Sequence, residues 1–251
     1  MKLKIFIIAI FATITLGAMA IFLQSDYMKC ALDYISPRLV GRKSVEDIVR
    51  KYEAKVLGNL QSNKFIASYG FPEKIVIVAD KDKKMLYIFG KMTSHEKYEL
   101  IKKYPFTNSS GTLGPKLKMG DLQIPEGIYK MESLNPNSLY HLALRVNYPN
   151  EFDKEKARLD GRPLESLGGD IMIHGRSCTV GCIPIGDIAI EEVFVLCAKA
   201  GIGNVDILIF PYDLTQKNPP FFSEPLPSWH SELINKLYHE QLKYRKQGVQ
   251  F

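Results

Sequence analysis

The chain has 251 residues, 46% hydrophobic and 24% charged, enough apolar material for one sizeable core with appended helices. No internal repeat or low-complexity tract interrupts it, which excludes repeat architectures. The formal charge is +6, but the Lys and Arg residues are scattered and no nucleic-acid motif accompanies them. Nucleic acid is thus excluded as the expected partner, and the charge reads as a solvated basic surface compatible with an anionic wall or membrane.

At the N-terminus Lys2 and Lys4 precede an uncharged apolar run from Ile5 to Leu23. Two plans share this layout. Ala18-Met19-Ala20 would serve a signal-peptide cleavage site, whereas the apolar run continuing through Ile21-Phe22-Leu23 suits an uncleaved helix in the inner membrane. Positive residues at the start keep that end cytoplasmic and place the rest outside. The expectation is an exported protein of the periplasm or cell envelope, with residues 1–25 as signal peptide or anchor. Cys30 lacks a lipobox-like context.

Residues 26–72 form an expected helical segment. Ser44 and Asp47 resemble a capping box, and Val45, Ile48, Val49, Tyr52, Val56 and Leu60 make one apolar stripe along a helix from Ser44 to about Gln61. From Lys74 the period changes. Ile75–Val78 and Met85–Phe89 read as strands joined by the charged turn Asp80-Lys81-Asp82-Lys83-Lys84. Further strands are expected at 98–104, 127–131, 141–146, 170–174 and 205–210. Between them, Gly111, Gly114, Pro115, Gly120, Pro125 and Gly127 punctuate a long loop.

His141, Ala143 and Arg145 fall on one face of a strand by period two. The planar fork of Arg145 suits a substrate carboxylate, with a structural salt bridge as the competing role. His141 could be a base or orient one. His95, His230 and His239 sit among polar residues and read as surface.

Residues 171–186 are Ile-Met-Ile-His-Gly-Arg-Ser-Cys-Thr-Val-Gly-Cys-Ile-Pro-Ile-Gly. A short buried strand delivers His174 to its end. A small-residue loop leads to Gly181-Cys182, and the chain turns apolar again. Three readings fit. In the first, His174 activates the Cys182 thiol for acyl transfer, with glycines allowing close approach and backbone N–H groups holding an oxyanion. In the second, His174, Cys178 and Cys182 bind a metal, although Gly175 and Gly181 oppose the helix this needs and no fourth ligand is near. In the third, the histidine is structural and Cys178 and Cys182 form a disulfide or two inert thiols. Cys178 could also be a redox partner that switches Cys182 off.

A helix follows, with Asp187 as expected N-cap and Gly201 as stop. Ile190, Val193, Phe194 and Cys197 share its apolar face, which places Cys197 in the core. Residues 214–251 comprise a Pro-rich linker and a final helix starting near Ser228, whose stripe is Trp229, Leu233, Leu237 and Leu242.

The His174–Cys182 block resembles the active-site signature of the L,D-transpeptidase (YkuD-type) catalytic domain, in its YafK-like branch. That signature is His-Gly, a Ser or Thr, one residue, and Gly-Cys, here His174-Gly175, Thr179, Gly181 and Cys182. Residues 120–129, 140–150 and 168–170 look like the same branch, and the resemblance covers about residues 73–213. There are departures. Val180 stands where the wider family has a second His, and Ile183-Pro184 follow the Cys where an Arg or aromatic is usual.

The resemblance implies a mainly β catalytic domain with flanking helices, β-sandwich-like in type. It implies a peptidoglycan L,D-transpeptidase in cell-wall organisation and cell shape, acting on stem peptides without metal. No cofactor is expected, and a monomer is the expected state, although the sequence does not fix it. Cys182 would be the nucleophile and His174 the base. Gly181, Thr179 and Gly175 would support the oxyanion loop, and Arg145, His141 and Tyr140 would bind substrate. The alternatives are an L,D-endopeptidase that releases wall-linked proteins or peptides, and a non-catalytic wall-binding or thiol redox protein.

Overall fold

A computed structural model describes residues 42–216, 220–222 and 225–251. The apolar run at 5–23, the proposed leader, Cys30 and Pro219 lie outside the described residues. The unit considered is 43–251.

Eight strands form one sheet in the order β3-β2-β1-β8-β4-β5-β6-β7. They are β1 (Lys74–Asp80), β2 (Met85–Lys91), β3 (Glu99–Pro105), β4 (Gly127–Asn135), β5 (Ala143–Val146), β6 (Met172–His174), β7 (Ile183–Pro184) and β8 (Val205–Phe210). β1–β8 and β6–β7 are parallel and the other neighbours antiparallel. The first half of β4 pairs with β8 and its second half with β5, with a bulge between Met131 and Ser133. A bulge bends its strand and sharpens its twist, so the sheet curls at β4 and carries β5–β7 around. The mainly β architecture with flanking helices is the one expected.

Helix α1 (Val45–Leu60) starts on the expected capping box and buries Ile48, Tyr52, Val56 and Leu60, one residue per turn. Short α2 (Lys64–Tyr69) and α3 (Glu151–Leu159) were not expected; Asn63 and Asn150 cap them, and Asn150 forms a second capping box with Asp153. Helix α4 (Asp187–Ala200) buries Ile190, Val193, Phe194 and Cys197 completely, as its spacing predicts. It stops at Gly201, whose φ of +85° costs a glycine little. Its N-cap, however, is Gly186 rather than Asp187. The Asp187 carboxylate is drawn instead to the Arg176 N–H at 2.9 Å. Helix α5 (His230–Lys246) begins two residues after Ser228.

β1 is buried on both faces. Ile75, Ile77 and Ala79 meet α1 and α4, while Val76 and Val78 meet Trp229, Leu233, Leu237 and Tyr244 on the α5 side. Trp229, Leu233 and Leu237 of the expected stripe thus pack on the domain, whereas Leu242 is only half-buried and Tyr244 takes its place in the core.

Two strand expectations fail at their starts. His141 has φ +76° and Asp170 φ +58°, outside the extended region, so β5 begins at Ala143 and β6 at Met172. The period-two face shared by His141 and Arg145 does not exist. His230, expected at the surface, is buried.

Candidate active site

β6 and β7 are parallel neighbours joined only by residues 175–182, too few for the helical crossover such pairs usually have. The loop must arch over the sheet edge and return to the start of β7. Ile173 pairs with Ile183 and His174 with Pro184. Residues paired across a ladder share a face, and so do residues two apart on a strand. Cys182 immediately precedes β7, so the loop that leaves β6 after His174 returns its thiol to the start of the neighbouring strand.

His174 is 1% exposed. Its Nδ1 lies 2.6 Å from the Gly175 carbonyl oxygen. A carbonyl only accepts, so Nδ1 carries the proton and Nε2 holds a lone pair in the neutral ring. Nε2 is buried with no hydrogen-bond partner. Burial holds the imidazole pKa below its ordinary value, partly countered by the Gly175 bond. The Tyr140 ring stacks on the imidazole, centroids 4.6 Å apart at 29°.

Cys182 is a half-buried free thiol. Its Sγ donates to the Asp170 carbonyl at 3.5 Å. Burial pushes the thiol pKa up, opposed by a hydrogen bond from the Met172 backbone and by the charge of Lys116. A protonated thiol and a neutral imidazole are the resting forms these environments favour.

The loop between them is tied at several points. Thr179 Oγ1 donates to the Cys182 carbonyl at 2.7 Å, so Thr179 braces the loop rather than the imidazole. Gly181 N–H donates to Ser110 Oγ at 2.8 Å, so that bond occupies it and it does not point free as an oxyanion donor. Gly181 has φ +100°, and a Cβ there would lie 2.8 Å from the Gln123 carbonyl oxygen. At Gly175 a Cβ would meet the Tyr140 carbonyl and Asp187 Oδ1, each at 2.7 Å. Both glycines are required by close approach.

The punctuated loop supplies the far wall. Ser110 Oγ also donates to the Leu122 carbonyl, and Thr107 Oγ1 donates to the Arg176 carbonyl at 2.7 Å. Asp121 accepts from Lys116 Nζ and from the Leu117, Lys118 and Gln123 N–H groups. Lys81, 6% exposed, reaches the Gly114 and Ile124 carbonyls and Glu126, pinning both ends of the loop. Thr107, Ser110, Lys116 and Asp187 were not foreseen as site residues. Their partners are 11 to 71 residues away or in a turn, and no periodicity marks them.

His141 Nε2 sits 2.9 Å from Glu191, which also takes Lys55 at 2.7 Å. Its imidazole is thereby tied to α4. Arg145 pairs with Asp170 and approaches Glu132. Cys178 is disulfide-bonded, whereas Cys182 and Cys197 are free. A Cys178–Cys182 disulfide, and a redox pair made of the two, are therefore not what the structure contains. A disulfide sulfur is also no thiolate ligand, which removes Cys178 from the metal reading; among the described residues no cluster of three His, Cys, Asp or Glu is arranged to hold a metal ion.

No protein-family profile matches the chain. The candidate L,D-transpeptidase YafK of Escherichia coli (strain K12) is 32% identical over 143 residues, 55% of this chain and 54% of YafK, and the Escherichia coli O157:H7 protein matches equally. This chain resembles the L,D-transpeptidase family, in its YafK-like branch. It spans about half the length of those relatives.

Among solved structures, similarity extends to the helical cell shape determining protein Pgp2 of Campylobacter jejuni, with TM-score 0.45 and 23% identity over 56% of this chain and 48% of that one. Bd1075 of Bdellovibrio bacteriovorus gives 0.40 and 25% over 70% and 56%. L,D-transpeptidase 1 of Mycobacterium tuberculosis gives 0.31 and 14% over 54% and 61%. Within the L,D-transpeptidase signature, Val180, in place of the second His, is 66% exposed and leaves His174 as the imidazole beside the thiol loop.

Proposed function

We propose that this chain is a cysteine L,D-transpeptidase of the cell envelope. It would act on peptidoglycan stem peptides through a thioester on Cys182, with residues 73–213 as catalytic domain. The observation that carries the reading is His174. Its Nδ1 is fixed by a carbonyl, its Nε2 is buried without a partner, and the loop that follows it brings a free thiol to the start of the paired strand β7. An orphaned buried acceptor is costly unless a proton is brought to it.

In the proposed cycle the Cys182 side chain turns from Asp170 toward Nε2. The thiol proton moves to Nε2 as Sγ attacks the amide carbon. The Cys182 backbone N–H is assigned to the oxyanion, with Gly181 N–H joining if Ser110 releases it. The C–N bond breaks, the leaving amine takes the proton from Nε2, and a thioester remains. A second amine completes transpeptidation; water completes hydrolysis. The resemblance implies a diaminopimelate–D-Ala donor bond. Gly175, Gly181 and Thr179 hold the loop, and Tyr140 and Arg145 flank the donor. A disulfide at Cys178 supports an oxidising compartment, consistent with the exported reading. Among the described residues no helix is long and apolar enough to cross a membrane.

The test is mass spectrometry of the purified chain with tetrapeptide muropeptides, beside Cys182→Ala. The expected result is release of D-Ala and an adduct on Cys182 that the variant lacks. Products joined to a second amine mark a transferase, and hydrolysed or protein-free stems mark an endopeptidase. No adduct with stem or protein-linked stem overturns the reading.

A further inference from the structure

The turn that leads into β5 is strained. Leu142 N–H donates to the Tyr140 carbonyl at 3.1 Å, closing three residues around His141, whose φ is +76°. This is the rare, positive-φ form of γ-turn, unfavourable for any residue with a Cβ. Glycine adopts it freely, yet a histidine stands here. Strain of this kind persists where surrounding contacts over-determine it, and it gathers where a group must be aimed.

Both conditions are met. His141 Nε2 lies 2.9 Å from Glu191 on α4, and Glu191 takes Lys55 of α1 at 2.7 Å. Burial alone would raise the Glu191 carboxyl, but hydrogen bonds from Lys55 and His141 hold it below its ordinary value. An ionised carboxylate only accepts, so His141 Nε2 donates. The Tyr52 ring of α1 meets the His141 imidazole at 76°, centroids 6.2 Å apart. The turn so held wraps the residue that follows His174. Gly175 N–H donates to the Leu142 carbonyl at 3.2 Å, and a Cβ on Gly175 would lie 2.7 Å from the Tyr140 carbonyl and 3.1 Å from the His141 Cβ. The Tyr140 ring leaves this turn to stack on the His174 imidazole, centroids 4.6 Å apart.

We propose that Glu191 and His141 are positioning residues for the His174 base: the Glu191 carboxylate holds the strained turn at His141, and the turn seats the Tyr140 ring on the imidazole. The effect on rate rests on the proposed role of His174, whereas the seating of the ring does not. His141 thereby acts through Tyr140, with its Nε2 proton committed to α4 rather than to a substrate.

The seating is read by proton NMR of the full chain, isotope-labelled on histidine and carrying Cys182→Ala, with His174 assigned by His174→Gln. Ring currents from a stacked tyrosine displace the imidazole Hδ2 and Hε1 resonances upfield, and Tyr140→Leu returns them toward free histidine. Glu191→Ala lets the half-exposed Lys55 return to water and is expected to remove most of that displacement. Adding His141→Gly is expected to restore it, because glycine holds the positive φ without an outside tie. Should Glu191→Ala fail to fold, the parent background gives the same comparison: loss in His141→Ala, retention in His141→Gly. With Cys182 intact, Glu191→Ala is expected to lower the maximal rate of Cys182 acylation about 10- to 100-fold, the scale of a misplaced catalytic group, with KM unchanged. A displacement that survives Glu191→Ala, one that His141→Gly fails to restore, or a loss carried by KM overturns the proposal. Absence of a Cys182 adduct in the parent, with the displacement and its rescue intact, overturns the thioester reading and leaves the seating of Tyr140 standing.

Discussion

A single carbonyl oxygen, that of Gly175, sets the protonation pattern of His174. Because burial lowers the imidazole pKa, the folded chain resists a proton that the unfolded chain accepts. The unfolded state therefore binds more protons below about pH 6.5, and stability falls as pH drops through that range toward the folded pKa. His230, also buried and lowered, adds to the same slope. The expected outcome is a melting temperature that falls from pH 7.5 to 5.5, with a smaller fall in His174→Gln. In the active chain, kcat/KM rises along an acid limb centred below pH 6.5; a limb centred above 7 would mean that His174 is not the base. Gly181→Ala combines a strained φ with a contact on Gln123, at about 1–3 kcal/mol. Thermal denaturation should show that loss, and thioester formation should drop further, since the next residue is the nucleophile.

At the scale of elements, the arch between β6 and β7 and the loop at 107–124 make the site together. The His-Gly to Gly-Cys spacing was legible in the sequence, as were α1, α4 and β8, because each rests on a local period or cap. The starts of β5 and β6 were not legible, because His141 and Asp170 look like strand residues until Glu191 and the Cys182 thiol claim their groups. Lys81 was equally invisible. It sits in a charged turn that reads as solvated, yet it is buried against Glu126. Lys81→Met would strand that carboxylate, at a cost of about 3–5 kcal/mol. Chemical denaturation should register it, and Lys81→Met with Glu126→Gln should recover part. A single variant within 1 kcal/mol of the parent would show that the pair does not hold the loop.

Across residues 43–251, β1, β2 and β8 each contribute to both cores, and α5 completes the second of them. Removing residues 228–251 uncovers Val76, Val78 and Phe210 and loses Trp229, Leu233 and Leu237. At roughly 1.5–3 kcal/mol per buried side chain, the loss approaches the 5–15 kcal/mol that a domain typically has. The truncated chain is expected to lose cooperative melting and hydrogen-exchange protection in β1. A melting temperature within a few degrees of the parent would show that α5 is an accessory.

The sequence by itself determined the capping box of α1, the stop of α4 at Gly201, the strand runs of β1, β2 and β8, the buried Cys197 and the placing of one imidazole and one thiol eight residues apart. Each is written in near neighbours, where spacing and residue type act directly. Only the tertiary structure decided that Gly181 N–H is held by Ser110, that Cys178 is a disulfide sulfur, that Tyr140 stacks on His174, and that Arg145 pairs with Asp170. Those facts depend on segments distant in sequence meeting at a curled sheet edge, and no local pattern encodes a partner 71 residues away.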